Sequence, residues 1–152
     1  MTKVLFVCLG NICRSPMAEG LFKDYVEKQG LSHLFHFESR ATASWEQGNP
    51  VHRKSLDVLH KNGITNMDQK RSKKITERDF LEYDYIIGMD KKNLKFLKEF
   101  EDGYYAHKVH LLLPKKEVED PYITGRYELV FDLIKSSISD WIEKWMEESK
   151  ND

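Results

Sequence analysis

Residues 4 to 30 restrict the possible folds more than any other part of this chain. Val4, Leu5, Phe6 and Val7 form a short apolar run, and the string VCLGNICRSP follows at once, from residue 7 to 16. Beyond it Met17, Leu21 and Tyr25 recur at spacing four beside Ala18, Phe22 and Val26, until Gly30 interrupts the pattern. The apolar run reads as a buried strand, and the spacing-four face as a helix that Gly30 ends. Ser15 is placed to cap that helix, with Pro16 at its first position, where a missing N–H costs nothing. The opening is strand, tight loop, helix.

The same reading extends along the chain. Phe35 and Phe37 alternate with polar neighbours as a second strand would, and Gly48, Asn49 and Pro50 mark a turn. A helix is predicted over His52 to Asn62, stopped by Gly63. Thr76 with Asp79 resembles a capping box, opening a short helix that ends near Tyr83. YDYIIGMD and HKVHLLLP read as two more buried strands, with a helix over Lys91 to Phe100 between them carrying Leu94 and Leu97. His107 and His110 then lie three apart on a strand, hence on opposite faces. A final helix shows Leu133 or Ile134, Ile138, Trp141, Ile142 and Trp145. Four strands alternating with about five helices predict an α/β fold: three αβα layers, with a four-stranded parallel sheet, doubly wound and Rossmann-like. In such folds ligands bind outside the carboxyl ends of the strands, where the VCLGNICRSP loop lies.

At 152 residues, with 40% hydrophobic and 32% charged, the chain suits one globular domain over 1–152, with no linker or repeat to divide it. Lysine and arginine number 24 against 25 acidic residues, so a formal charge of -1 gives no global attraction to nucleic acid or a membrane surface. Any anion site must be local. The first apolar stretch, Val4 to Leu9, is too short for a signal peptide or a membrane span, so the expected location is the cytoplasm, leaderless export aside. Two cysteines make no disulfide framework, and zinc is disfavoured because paired histidines at ligand spacing are missing.

Both cysteines sit in the one loop. A loop between a strand's end and a helix's start turns backbone N–H groups inward and adds the positive end of the helix dipole, making an anion cradle. Residues 9 to 15, Leu9, Gly10, Asn11, Ile12, Cys13, Arg14 and Ser15, would line it. Arg14 offers a planar fork to two phosphate oxygens. Cys8 at the base feels both dipole and guanidinium, surroundings that lower a thiol pKa from about 8.5 to roughly 3.5 to 7.5. A thiolate there can attack phosphorus and form a phosphocysteine. Ser15 can donate to the departing sulfur, and Asn11 tolerates positive φ and holds the loop's shape. Cys13 reads equally as a packing residue or as a partner that traps oxidised Cys8 in a reversible disulfide. The leaving oxygen needs a proton, and Asp120, in an extended position before Pro121 and after the last strand, is the favoured donor.

VCLGNICRSPMAE together with DPY at 120 to 122 resembles the low-molecular-weight protein tyrosine phosphatase family. The likeness continues through ATASW, GNP, ITERDF, YDYIIGMD and YELVFD, and so spans essentially the whole chain. It implies the phosphotyrosine phosphatase I-like fold, Cys8 as nucleophile, Arg14 as phosphate clamp, and Asp120 as general acid and then base. It further implies that Asn11, Ser15 and Ser39 support the loop, and that Trp45 and Tyr122 line a cleft for the phosphotyrosine ring. No cofactor or metal is implied; phosphotyrosine proteins are the expected substrates, phosphate and vanadate the expected inhibitors, and a monomer the expected state. Three positions depart from the pattern: Ile123 replaces a second tyrosine, Lys70 stands where some relatives carry a network histidine, and Ile12 stands where arginine phosphatases tend to carry threonine.

The resemblance leaves competing functions to weigh. A protein-arginine phosphatase is the alternative within the family. A phosphate-binding module without turnover, or a thiol redox sensor, are alternatives of another class, and neither would need Cys8, Arg14 and Asp120 together. An arsenate reductase would need more relay cysteines than Cys13.

Overall fold

In β1, Thr2–Cys8, side chains alternate between the two faces of the sheet: Val4, Phe6 and Cys8 join one apolar cluster and Leu5 and Val7 another. A strand buried on both faces belongs inside a parallel sheet with helices on either side, and the computed structural model, which describes residues 1–150, places it there. Four parallel strands run in the order β2, β1, β3, β4, with β2 at Phe35–Ala41, β3 at Tyr85–Gly88 and β4 at Val109–Leu111. Pairing of Phe6 with Ser39 and Cys8 with Ala41 sets Ser39 close to the end of β1.

Helix α1, Arg14–Lys28, returns the chain from β1 to β2 and packs Met17, Leu21, Phe22 and Val26 into the larger cluster. The same cluster takes in α2 (Arg53–Lys61), α6 (Tyr127–Ser136) and α7 (Ile138–Ser149). Its centre is aromatic: Phe6, Phe22, Phe35, Phe37 and Trp145 stack or tilt against one another. The opposite face is covered by α3 (Glu77–Glu82) and α4 (Lys91–Glu99), through Phe80 and Leu97. The Thr76–Asp79 capping box forms, each side chain meeting the other's backbone N–H. A single-turn helix, α5, spans Pro121–Thr124 and ends at Gly125, whose φ of 77° is the left-handed conformation that glycine takes without strain.

Three expectations need correction. Ser15 is not the N-cap of α1: the helix begins at Arg14 after Cys13, and the Ser15 hydroxyl is engaged by Asn11 and Cys8 instead. Pro16 is tolerated in the first turn because N–H groups there lack intrahelical partners. The final helix is two helices, parted at Ser137, whose hydroxyl donates back to Ile134 O at 2.7 Å. His107 lies in a 3-10 turn, Ala106–Lys108, and not on β4, so its relation to His110 is not that of two strand positions. Among the described residues, no helix is long and apolar enough to cross a membrane.

Candidate active site

The loop after β1 is held from outside by its carbonyls. Cys8 O and Leu9 O accept from Thr42 N and Ala43 N, Gly10 O from Ser72 Oγ at 2.8 Å, and Ile12 O from His52 N at 2.8 Å. With these oxygens engaged outward, the other side of the loop faces a cavity of about 170 Å³. Leu9, Gly10, Ile12 and Cys13 line it together with Cys8 and Arg14. Asn11 is the one loop residue at positive φ, 56°, a conformation that asparagine adopts more readily than most.

Cys8 is buried at the end of β1, and its sulfur is met by donors. Asn11 N lies 3.3 Å away, Ser15 N 3.5 Å and Ser15 Oγ 3.1 Å. The direction of the bonds behind Ser15 can be followed proton by proton. Asn11 Oδ1 accepts from Lys73 N at 3.1 Å, which orients the amide so that both Nδ2 protons point inward. One reaches Ser15 Oγ at 2.8 Å and the other Ser39 Oγ at 2.9 Å. Ser39 Oγ gives its proton to Glu19 Oε1 at 2.6 Å. Ser15 Oγ, already an acceptor, has its own proton left for Cys8 Sγ at 3.1 Å or the more distant Arg40 O at 3.4 Å.

Glu19 anchors this chain of bonds. Its carboxylate is buried on α1, one turn beyond Ser15, with Lys23 Nζ at 2.6 Å from Oε2 and Lys70 Nζ at 3.2 Å from Oε1. Lys70 also donates to Ser39 O at 2.9 Å. The lysine at this departure from the family pattern thus joins the same network through an ammonium.

Arg14 opens α1 and is almost wholly buried. Its Nη1 donates to Asp90 Oδ2 at 2.7 Å and to Val118 O at 3.0 Å, and Nη2 stands 3.7 Å from Asp120 Oδ2. Nε is buried with no hydrogen-bond partner among the described residues. Burial works against the guanidinium charge, but the Cys8 sulfur, Asp90 and Asp120 outweigh it and hold the Arg14 pKa above the ordinary value. Asp90 follows β3 and Asp120 follows β4, so three strand ends contribute to the site, as expected at the carboxyl edge of a parallel sheet.

Asp120 is the N-cap of α5 and accepts from Tyr122 N at 3.1 Å. Trp45 and Tyr122, each about two-thirds exposed, stand at the mouth of the cavity with Glu46. Cys13 is a buried free thiol whose sulfur lies 3.9 Å from Tyr127 Oη. Burial, and Cys8 close by, push its thiol pKa up to about 12.

Of the positions singled out in the sequence, Cys8, Leu9, Gly10, Ile12, Cys13, Arg14, Asp120, Trp45 and Tyr122 line this cavity; Asn11 and Ser15, expected to line it, lie behind the loop instead, bonded to each other and, through Asn11, to Ser39. The sequence reading missed Asp90, Glu19, Lys23 and Glu46. Asp90 had a signal: with Asn93 it forms a capping box at the end of a strand. Glu19 had none, since with Ser15 and Lys23 four residues to either side it reads as part of a solvated polar row. Among the described residues no three histidine, cysteine, aspartate or glutamate side chains are grouped to hold a metal.

A thiol and an arginine facing one cavity at the carboxyl edge of a doubly wound sheet is the arrangement of a phosphatase, and comparison with known proteins agrees. Residues 3–151 match the family model described as low molecular weight phosphotyrosine protein phosphatase. The chain is 39% identical over 142 residues to the low molecular weight protein-tyrosine-phosphatase YfkJ of Bacillus subtilis, covering 90% of each. It is 43% identical over 135 residues to the low molecular weight phosphotyrosine protein phosphatase of Schizosaccharomyces pombe, covering 82% of this chain and 85% of that one. The crystal structure of SP-PTP, a low molecular weight protein tyrosine phosphatase from Streptococcus pyogenes, superposes with a TM-score of 0.88 at 43% identity, covering 95% of this chain and 93% of that one. The chain belongs to the low molecular weight phosphotyrosine protein phosphatase family and is a phosphatase.

Proposed function

We propose that the protein hydrolyses phosphotyrosine monoesters in proteins through a phosphocysteine on Cys8, without a metal, as a single domain over residues 1–152. The observation that carries this reading is the convergence of Cys8, Arg14 and Asp120 on one small cavity, with Asp120 3.7 Å from Arg14. The Cys8 thiolate attacks phosphorus as the bond from phosphorus to the tyrosyl oxygen breaks, and Asp120, in its acid form, gives that oxygen its proton. Water then attacks phosphorus and surrenders a proton to the Asp120 carboxylate. The sulfur–phosphorus bond breaks, phosphate departs, and the Ser15 hydroxyl supports the thiolate that returns.

Arg14 has Nη1 occupied by Asp90 and Val118 while Nε lacks a partner among the described residues, so the Nε edge of its fork is available to phosphate oxygens. The loop amides supply further donors to the charge that spreads over the equatorial oxygens in the transition state. Trp45 and Tyr122 flank an aromatic ring attached to that phosphate. The named relatives are tyrosine phosphatases, which supports phosphotyrosine over phosphoarginine. Inhibition by phosphate and vanadate, a monomeric state and a cytoplasmic location belong to the same reading.

Release of phosphate from an aryl phosphate in the presence of a chelator tests it. Activity is expected to be vanadate-sensitive, absent in Cys8→Ser and retained in Cys13→Ser. A Cys8→Ser protein that still turns over, or hydrolysis of a phosphoarginine peptide in preference to a phosphotyrosine one, would contradict it.

A further inference from the structure

His52 takes no part in the steps above, yet it is fixed on three sides. Its backbone N–H donates to Ile12 O at 2.8 Å, which ties it to the loop. It is the N-cap of α2, and its Nδ1 accepts from Lys54 N at 3.1 Å, so the ring cannot swing away without uncapping the helix. So pinned, the imidazole lies between two tyrosines. It is nearly parallel to Tyr127, with centroids 5.4 Å apart and planes at 21°. It is perpendicular to Tyr122, with centroids 5.8 Å apart and planes at 89°.

The two tyrosines differ in how they are held. Tyr127 is buried at the start of α6. Tyr122 is 67% exposed and rides on the single turn of α5, between Pro121 and the left-handed Gly125. An exposed tyrosine on one isolated turn has little of its own to keep its ring in one rotamer.

We propose that His52 is a positioning residue for substrate selection: anchored to the loop and braced by Tyr127, it holds the Tyr122 ring at the cleft mouth ready for an aromatic phosphoester. The inference rests on the phosphotyrosine reading above and deepens it. Without the imidazole, the Tyr122 ring would have to be ordered when substrate binds. That loss falls on ground state and transition state alike, so it raises KM and leaves kcat in place. The Asp120 contact with Tyr122 is made by the backbone N–H and does not depend on the ring. Inorganic phosphate, which has no ring to sandwich, should bind as before.

Two variants separate the ring from the cap. His52→Asn keeps a capping acceptor and removes the ring; His52→Phe keeps a ring and removes the cap. For a phosphotyrosine peptide, His52→Asn is expected to raise KM by about 2- to 12-fold, the worth of one aromatic pair, with kcat and the inhibition constant of inorganic phosphate unchanged. His52→Phe is expected to keep KM near that of the unmodified protein, even though loss of the cap lowers its melting temperature. The inference is overturned if His52→Asn leaves KM unchanged, if the phosphate inhibition constant rises in parallel, or if phenylalanine fails to restore KM. No turnover of the peptide by the unmodified protein would instead strike at the phosphotyrosine reading, and take this inference with it.

Discussion

Replacing Glu19 by glutamine removes one buried charge and almost no volume, so it isolates what the carboxylate does for the network behind Cys8. Three groups share the carboxylate, Ser39 Oγ at 2.6 Å, Lys23 Nζ at 2.6 Å and Lys70 Nζ at 3.2 Å, and glutamine leaves them one neutral oxygen in place of two charged ones. Removing one partner of a buried ion pair destabilises by about 3 to 5 kcal/mol, because the other charge is left without compensation. Here the lower figure applies. Lys23 is 36% exposed and can return to water, while Lys70 keeps its bond to Ser39 O. A loss of about 3 kcal/mol corresponds to a melting temperature lower by roughly 6 to 12 °C in a chain of this size. A neutral amide can also present its NH2 group to Ser39 Oγ, which would then accept from two amides and have no carboxylate left to take its own proton. Ser39 then holds the Asn11 amide less firmly against Ser15, and kcat falls alongside stability. Thermal unfolding followed by circular dichroism, with kcat measured on an aryl phosphate well below the melting point, reads both effects. A melting temperature within 2 °C of the unmodified protein's, with kcat unchanged, would refute the claim that Glu19 anchors the chain of bonds.

The remaining predictions concern the cavity and the second cysteine. Asp120→Ala should lower kcat on aryl phosphates by roughly 10² to 10⁴, less for leaving groups of low pKa, and a loss below about tenfold would reject Asp120 as the proton donor. Arg14→Lys gives up the planar fork that binds Asp90, Val118 and phosphate together; kcat should drop by roughly 10² to 10³, and near-normal turnover would show that a point charge suffices. Because the Cys13 pKa is raised in the folded protein, its contribution to stability is complete below pH 9.0 and is lost as pH climbs towards about 12. Urea unfolding across that window should show stability falling with a slope of up to about 1.4 kcal/mol per pH unit from this thiol, and Cys13→Ala should remove that share. An identical pH profile in the variant would contradict it.

Much of the fold was readable because local signals and tertiary demands agree. The strand, loop and helix of residues 2–28, the alternation of Phe35 and Phe37 in β2 and the Thr76 cap all formed where their patterns placed them. Helix ends were harder, since Ser15 carries a capping side chain that the structure uses elsewhere. The break at Ser137 has no glycine or proline to announce it, and the apolar spacing runs across it from Ile134 to Ile138. Within the site, positions close in sequence to the loop were visible, and Asp120 was visible through its proline. Asp90 offered its capping box, but its bond to Arg14 was not visible, because it spans 76 residues and depends on β3 lying beside β1. Glu19 was hidden for another reason: a glutamate in an amphipathic helix ordinarily faces water. The bracing of Tyr122 by His52 was equally out of reach, since it joins the start of α2 to α5.

The most direct test of the account is to find the phosphoryl group on the enzyme itself. Quenching the protein with acid during turnover of an aryl phosphate and mapping its peptides by mass should reveal one added phosphoryl group, on the sulfur of Cys8. Finding it on Cys13 or Ser15, or finding only unmodified peptides in Asp120→Ala, where slowed hydrolysis of the intermediate should let it accumulate, would contradict the mechanism.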